Sequence, residues 1–280
     1  MLVSPIWHGR RAFAFICMGH VEFCEALGFE AYRATTALRL IKPNTKQQLK
    51  RMVEAGLLRR DRFEAQFEKL RNMKRGTGQM LGGGCFGPLT VVSDLLGARE
   101  MLKMTITDPD FLHWLLRYVT SVMITLARME AQTDIDYFWL AEPVASLLSP
   151  QESWIFSGRY IKDIYDSINI PGFLHVCGKT LKHTGHLVRT GAQVLSIDSL
   201  TPMDQCLEAA GDDVILMGNL DTSLLRFGSR EEVREACARF RFLCRGNRNV
   251  IFSTGCAVME GTPEENVFEM FDESEMMHTL

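Results

Sequence analysis

His175 and Cys177 stand two residues apart in Leu174-His175-Val176-Cys177-Gly178, and a distant Cys256 closes the stretch Ser253-Thr254-Gly255-Cys256. Each stretch reads as the C-terminal end of a β-strand. Residues two apart on a strand point to the same face, so the imidazole and the first thiol are presented together. A second strand ending in cysteine can bring its sulfur beside them. One imidazole and two thiolates form a known ligand set for a catalytic zinc whose fourth position stays open for substrate. Taken singly, a His-x-Cys pair is usually a packed histidine beside an inert buried thiol, and a strand-end cysteine after glycine is often structural. The combination, on strands expected to run the same way, points to metal. Mixed imidazole and thiolate ligation without a second cysteine cluster suits zinc better than iron or copper.

Such a zinc could activate water or a substrate thiol. A zinc-bound thiol is held as the thiolate at neutral pH, which is the nucleophilic form. Two cysteine ligands leave the metal little net charge, so a bound thiolate becomes more nucleophilic and the site a poorer Lewis acid. The set therefore favours alkyl transfer to sulfur over hydrolysis. Asp198 ends Val194-Leu195-Ser196-Ile197 on an intervening strand. It is open to three readings: a fourth ligand when substrate is absent, a partner orienting His175, or a helix cap.

The elements that must position these residues follow from alternation. Strand-like runs at 29–34, 79–85, 135–141, 172–177, 194–198, 214–218 and 250–254 are separated by helical stretches, among them 45–56, 61–75, 108–132, 179–190 and 202–210. Asp108-Pro109 supplies a cap and a first-turn proline. Ser149-Pro150-Gln151-Glu152 and Ser229-Arg230-Glu231-Glu232 are capping boxes, and Thr262-Pro263-Glu264-Glu265 is expected to cap a last helix. Short βα units imply parallel strands with crossover helices. Phe13–Cys17 is an eighth strand candidate, followed by a short helix near 20–27. The expected fold is an α/β (β/α)8 TIM barrel formed by a single domain over 1–280, and barrel enzymes place chemistry at the C-terminal strand ends. An open doubly wound sheet is the alternative.

Composition agrees with an ordinary globular chain: 280 residues, 46% hydrophobic and 23% charged, with a net charge of −3. Nothing suggests nucleic acid, since no run of Lys/Arg is interleaved with aromatics. Apolar stretches such as Ala12–Met18 are too short to span a bilayer. The first residues lack the pattern of a signal peptide, so a cytoplasmic location is expected. The eight cysteines then read as thiols and ligands, not a disulfide framework.

Several stretches, in order, resemble the corrinoid-dependent methyltransferases of the uroporphyrinogen decarboxylase superfamily, in the branch of methylcobamide:coenzyme M methyltransferases. They are Gly84-Cys85-Phe86-Gly87-Pro88-Leu89-Thr90, Glu142-Pro143-Val144-Ala145-Ser146 with Leu148-Ser149-Pro150, Leu174–Gly178, Gly191-Ala192 with Ser196-Ile197-Asp198, Gly218-Asn219-Leu220-Asp221, and Ser253–Cys256 with Thr262–Asn266. Gly-Asn-Leu-Asp and Gly-Pro-Leu-Thr are shared across the superfamily, whereas His-x-Cys-Gly with the distant Gly-Cys belongs to the methyltransferase branch. The resemblance implies a barrel and a zinc on His175, Cys177 and Cys256. It also implies methyl transfer from a methylcobamide on a small corrinoid protein to a thiol such as coenzyme M, with a folate amine as another conceivable acceptor. An acidic residue at the place of Asp198 can occupy the zinc in this branch.

Met1–His20 has little likeness to the longer N-terminal segment usual in the family, which makes the first strand the place where the barrel could be incomplete. Lys179 stands where the family often has an acidic or polar residue. Asp198 and Glu142 are the candidate catalytic residues. Glu142 could line the corrinoid face, orient the acceptor or cap the turn before Pro143. Asn219 and Asp221 are the candidate cofactor-binding residues, as polar walls of the pocket. Gly82-Gly83-Gly84 reads as room for a large planar ligand or as a tight turn, and His183 and His186 as solvated. Two other functions are consistent with the family: a metal-independent porphyrinogen decarboxylase, for which Arg10-Arg11 is the only nearby arginine motif, and a truncated non-catalytic corrinoid-binding relative.

Overall fold

The computed structural model describes residues 6–8, 11–15, 18, 20–27, 29, 31–34, 37–40, 45–55, 60–74, 80–247 and 249–275. Among the described residues ten strands follow in chain order: β1 (Ile6–His8), β2 (Arg11–Phe15), β3 (Ala31–Ala34), β4 (Ala37–Leu40), β5 (Met80–Phe86), β6 (Tyr137–Ala141), β7 (Gly172–Val176), β8 (Val194–Ile197), β9 (Ile215–Leu220) and β10 (Val250–Thr254). Eight of them close a barrel in the order β1-β10-β9-β8-β7-β6-β5-β2. From β2 and β5 round to β10 every neighbouring pair is parallel, as short strand–helix units require. β1 runs antiparallel to both of its neighbours, β2 and β10. The expected α/β barrel is present, and its closing position is held by a three-residue strand.

Two strand expectations resolve differently. The run at 29–34 forms β3, which pairs with β4 in a two-stranded sheet apart from the barrel. Two residues of chain separate β3 from β4, enough for an antiparallel hairpin and far too few for a parallel crossover. The barrel place is taken instead by β2, which overlaps the candidate at 13–17; Cys17 and Arg10 lie outside the described residues.

The expected helices at 45–56, 61–75 and 108–132 are Lys46–Glu54, Arg60–Lys74 and Pro109–Ala131. The Asp108 side chain accepts from the Phe111 N–H at 3.3 Å, which caps the longest of them. Both serine capping boxes form. The chain after Ser149 changes pitch, from α at Pro150–Ser153 through a π turn at Trp154–Gly158 to α again at Arg159–Tyr165. The helix expected at 179–190 is a 3-10 turn, Leu181–His183, and a short helix, Thr184–Val188. Thr262 does not cap the last helix, Glu264–Glu275; its hydroxyl donates to the Met259 carbonyl at 2.7 Å.

Helices Pro88–Leu96 and Ala98–Thr107 occupy a stretch that showed no readable pattern. The first buries Pro88 through Ser93 without interruption. Six consecutive buried residues blur the alternation of polar and apolar positions by which a surface helix is read.

The apolar interior has two parts. The larger lies between the barrel wall and the helices. The smaller fills the barrel and consists of Tyr137, Trp139, Phe173, Val194, Met217 and Ile251. Within it Tyr137 and Phe173 stack at 4.3 Å, and the Trp139 ring stands 6.1 Å from Phe173 and 6.3 Å from His175. An aromatic column thus rises through the barrel to the imidazole. No helix among the described residues is long and apolar enough to cross a membrane.

Candidate metal centre

β7 and β8 pair in a register that sets His175 opposite Ser196. Alternation then turns both side chains into the barrel. His175 is buried, and Nδ1 lies 3.0 Å from Ser196 Oγ and 3.3 Å from the Ser196 carbonyl oxygen. A carbonyl only accepts, so Nδ1 carries a proton and donates, and Nε2 is the nitrogen turned toward the sulfurs.

Cys177 follows β7 directly. The chain then turns at Gly178, whose φ of +89° is costly for any side-chain-bearing residue. The Gly178 N–H donates to Asp198 Oδ2 at 2.8 Å, and its carbonyl accepts from Thr201 Oγ1 at 2.8 Å. Cys256 follows β10, which β8 and β9 separate from β7. The N–H of Gly255 donates to the Leu220 carbonyl of β9 at 2.7 Å. A β-carbon on Gly255 would lie 2.4 Å from the Ser199 nitrogen, so the loop after β8 passes directly against it.

These elements bring the three donors together. His175 Nε2 is 3.1 Å from Cys177 Sγ, and Cys177 Sγ is 3.8 Å from Cys256 Sγ. One ligand atom from each residue lies within 4.8 Å of the others. Two zinc–thiolate bonds of about 2.3 Å at the tetrahedral angle set their sulfurs roughly 3.8 Å apart, so the spacing of this pair fits a shared zinc. The separation is well beyond the ~2.05 Å of a disulfide, and none of the seven described cysteines is in one. The pKa of the Cys256 thiol is lowered, first by its hydrogen bond with Cys177 and then by the neighbouring His175. Cys177 is pushed far up, because it keeps the proton it shares with Cys256 and is partly buried. Both sulfurs sit half-buried at the rim beside the imidazole.

The other predicted residues serve this mouth in different ways. Asp198 is not hydrogen-bonded to His175; Ser196 has that place. Its carboxylate accepts from Gly178 N and, at 2.9 Å, from Leu200 N, which clamps the turn after Cys177 to the loop after β8. Asn219 donates through Nδ2 to the carbonyls of Asp198 at 3.1 Å and Thr201 at 2.8 Å, so its amide braces the same loop. Asp221 caps helix Thr222–Phe227, accepting from Ser223 N at 2.8 Å, and is exposed.

Glu142 is fully buried, with no surface on which to meet a corrinoid. It accepts from Leu89 N at 2.9 Å, Thr90 N at 2.7 Å, Ser157 Oγ at 3.2 Å and the Thr90 hydroxyl. It caps helix Pro88–Leu96 from another part of the chain. Burial raises its pKa to about 7 against the pull of those donors.

The glycine run leaves no room for a ligand. A β-carbon at Gly82 would meet the Tyr137 ring at 2.2 Å, at Gly83 the Glu130 carboxyl at 2.2 Å, and at Gly84 the Trp139 carbonyl at 2.0 Å. His183 is buried and not solvated; its Nε2 lies 3.0 Å from the Leu148 carbonyl, to which it donates. His186 stacks on Trp154 at 6.2 Å. Sequence reasoning missed Ser196 and Thr201. The inward parity of Ser196 with His175 was the one available signal; Thr201 sits in a loop and gave none.

A family profile described as Uroporphyrinogen decarboxylase (URO-D) matches residues 14–276. The chain is 28% identical over 183 residues to a methylated-thiol–coenzyme M methyltransferase of Methanosarcina mazei, covering 64% of this chain and 48% of that one. It is 27% identical over 221 residues to the methylcobamide:CoM methyltransferase MtaA of Methanosarcina barkeri, covering 77% and 64%. It is also 30% identical over 180 residues to a chloroplastic uroporphyrinogen decarboxylase 2 of Arabidopsis thaliana, covering 62% and 44%. The chain thus spans between about half and two thirds of these relatives. A solved methyltransferase from Methanosarcina mazei has the same fold, with a TM-score of 0.76 over 96% of this chain and 80% of that one at 22% identity.

Proposed function

Because the chain belongs to the uroporphyrinogen decarboxylase family, we propose that it is a cytoplasmic, zinc-dependent methyltransferase that moves a methyl group from a methylated corrinoid, carried on a corrinoid protein, to a thiol such as coenzyme M. The observation that carries this reading is the convergence of His175, Cys177 and Cys256 at the barrel mouth. Relatives named for methyl transfer to coenzyme M support it. Zinc on these donors would supply a position at which an acceptor thiol sheds its proton near neutral pH.

The chain's own residues do the rest. β7 and β10, separated in the barrel by β8 and β9, would deliver the ligands to one mouth. The column of Trp139, Phe173 and Tyr137 fills the barrel beneath His175, which closes the site to water from below. With Cys177 and Cys256 as its thiolate ligands, a zinc would keep the acceptor sulfur electron-rich, which suits attack on a methyl carbon better than polarisation of a carbonyl.

Protein purified without chelator is expected to hold close to one zinc per chain, and Cys256→Ala to lose it. Wild-type protein is expected to transfer methyl from free methylcobalamin to coenzyme M, read from the loss of the methylcobalamin absorbance. Full zinc retention by the Cys256→Ala protein would sink the reading. The decarboxylase relatives motivate a second one, a porphyrinogen decarboxylase needing no metal. It predicts porphyrinogen turnover that survives a chelator.

A further inference from the structure

Resting on the zinc reading of this site, we infer that Ser196 is a positioning residue: it fixes the tautomer and the ring plane of His175, so that Nε2 meets the metal. Three observations carry the inference. The β7–β8 register pairs His175 with Ser196 directly, so the contact is set by two adjacent barrel strands and not by a loop. Ser196 offers Nδ1 two oxygens, Oγ at 3.0 Å and its carbonyl at 3.3 Å. The nearby acid, Asp198, spends both carboxylate oxygens on the N–H groups of Gly178 and Leu200.

A hydroxyl alone would leave the tautomer open, since it can donate to a bare nitrogen as readily as accept from an N–H. The carbonyl removes that freedom, because it can only accept. The hydroxyl then adds a second acceptor and fills the inner face of β8 beside the ring. Trp139, at 6.3 Å and 25° to the imidazole, limits tilting from below. His175 is thereby held with one nitrogen committed to protein and the other to the sulfurs. Groups that orient a ligating histidine through its second nitrogen are worth roughly 10- to 100-fold in metal affinity.

The test is a zinc titration of the full chain against a chromophoric chelator, comparing wild type, Ser196→Ala and Ser253→Ala. Ser253 is an equally buried serine on β10 with no hydrogen bond to His175. Ser196→Ala keeps the carbonyl that sets the tautomer and loses only the second acceptor, so it is expected to bind zinc about tenfold more weakly, the low end of that range, and Ser253→Ala to stay within about threefold of wild type. Nitrogen-15 correlation spectra of the zinc-loaded wild type are expected to show His175 protonated at Nδ1 and metallated at Nε2. In Ser196→Ala the Nδ1 proton is expected to exchange faster with water, a readout that a general loss of stability would not single out. Ser196→Thr keeps the hydroxyl and is expected to recover part of the affinity.

Zinc bound as tightly by Ser196→Ala as by wild type overturns this inference and leaves the metal centre standing. Metallation of His175 at Nδ1 does the same. A wild type that takes up no zinc overturns the metal centre, and this inference with it.

Discussion

A β-carbon added to Gly255 would stand 2.4 Å from the backbone nitrogen of Ser199 and 3.0 Å from its Cβ. Neither atom is the end of a flexible side chain, so the strand end or the loop must move, and Cys256 is the next residue along. Gly255→Ala should therefore leave the barrel folded yet weaken zinc binding at least about tenfold, the scale on which displaced ligand support acts. Chelator competition together with an unchanged circular dichroism spectrum checks it; unchanged affinity would mean that the loop after β8 gives way freely. Asp198 acts one step further back. Asp198→Asn keeps one oxygen but turns an amide N–H₂ toward a backbone N–H, at Gly178 or at Leu200. Hydrogen exchange at Gly178 or Leu200 should accelerate, and zinc should bind more weakly, though less so than in Cys256→Ala.

Elements here are tied together by groups that lie far from them in sequence. Glu142 caps helix Pro88–Leu96 across 53 residues of chain, and Ser157 of the π turn joins the same carboxylate. Glu142→Gln puts an amide N–H₂ against donors in a buried place, and an unmet buried donor costs about 1–3 kcal/mol. Ser149→Ala removes an exposed cap worth only about 1 kcal/mol. Urea unfolding should rank the two in that order. Glu130 ties helix Pro109–Ala131 to β5, with its carboxyl against the Gly83 backbone. Burial raises its pKa well above the ordinary 4.5, opposed by Gln66 and by the Gly84 backbone. The folded state keeps a proton that the unfolded chain gives up above that ordinary value. The stability contribution is complete at lower pH and declines as pH rises, by about 1.4 kcal/mol per pH unit for one proton. Glu130→Gln needs no such proton. Its unfolding midpoint relative to wild type should gain as pH rises from 5, until the buried carboxyl itself ionises; a difference independent of pH would contradict this.

At the scale of the whole molecule, most of the barrel was legible because βα alternation depends on local patterns: apolar runs, serine capping boxes, a proline in a first turn. What escaped depended on distant partners. β3 looks like a barrel strand until β4 is seen two residues beyond it, and helix Pro88–Leu96 is hard to read because its surroundings bury Pro88 through Ser93 without interruption. The convergence of His175, Cys177 and Cys256 was legible for a similar reason, since strand parity and strand ends are local properties. The functions of Glu142 and Asn219 were not, because each is defined by a hydrogen bond to another loop or helix. The two apolar regions give the last prediction. Phe173 lies inside the barrel, stacked on Tyr137 at 4.3 Å and next in the column to Trp139, which carries His175. Phe240 lies outside, on helix Arg230–Leu243, at 4.9 Å from Phe252. Truncating either to alanine should cost about 3–5 kcal/mol. The consequences for the site should differ. Phe173→Ala opens a hole under Trp139, lets the indole and the imidazole above it sink, and should loosen zinc several-fold. Phe240→Ala should unfold as easily but hold zinc as wild type does below its melting range. Equal zinc affinity in the two variants would show that the aromatic column supports the barrel without supporting the site.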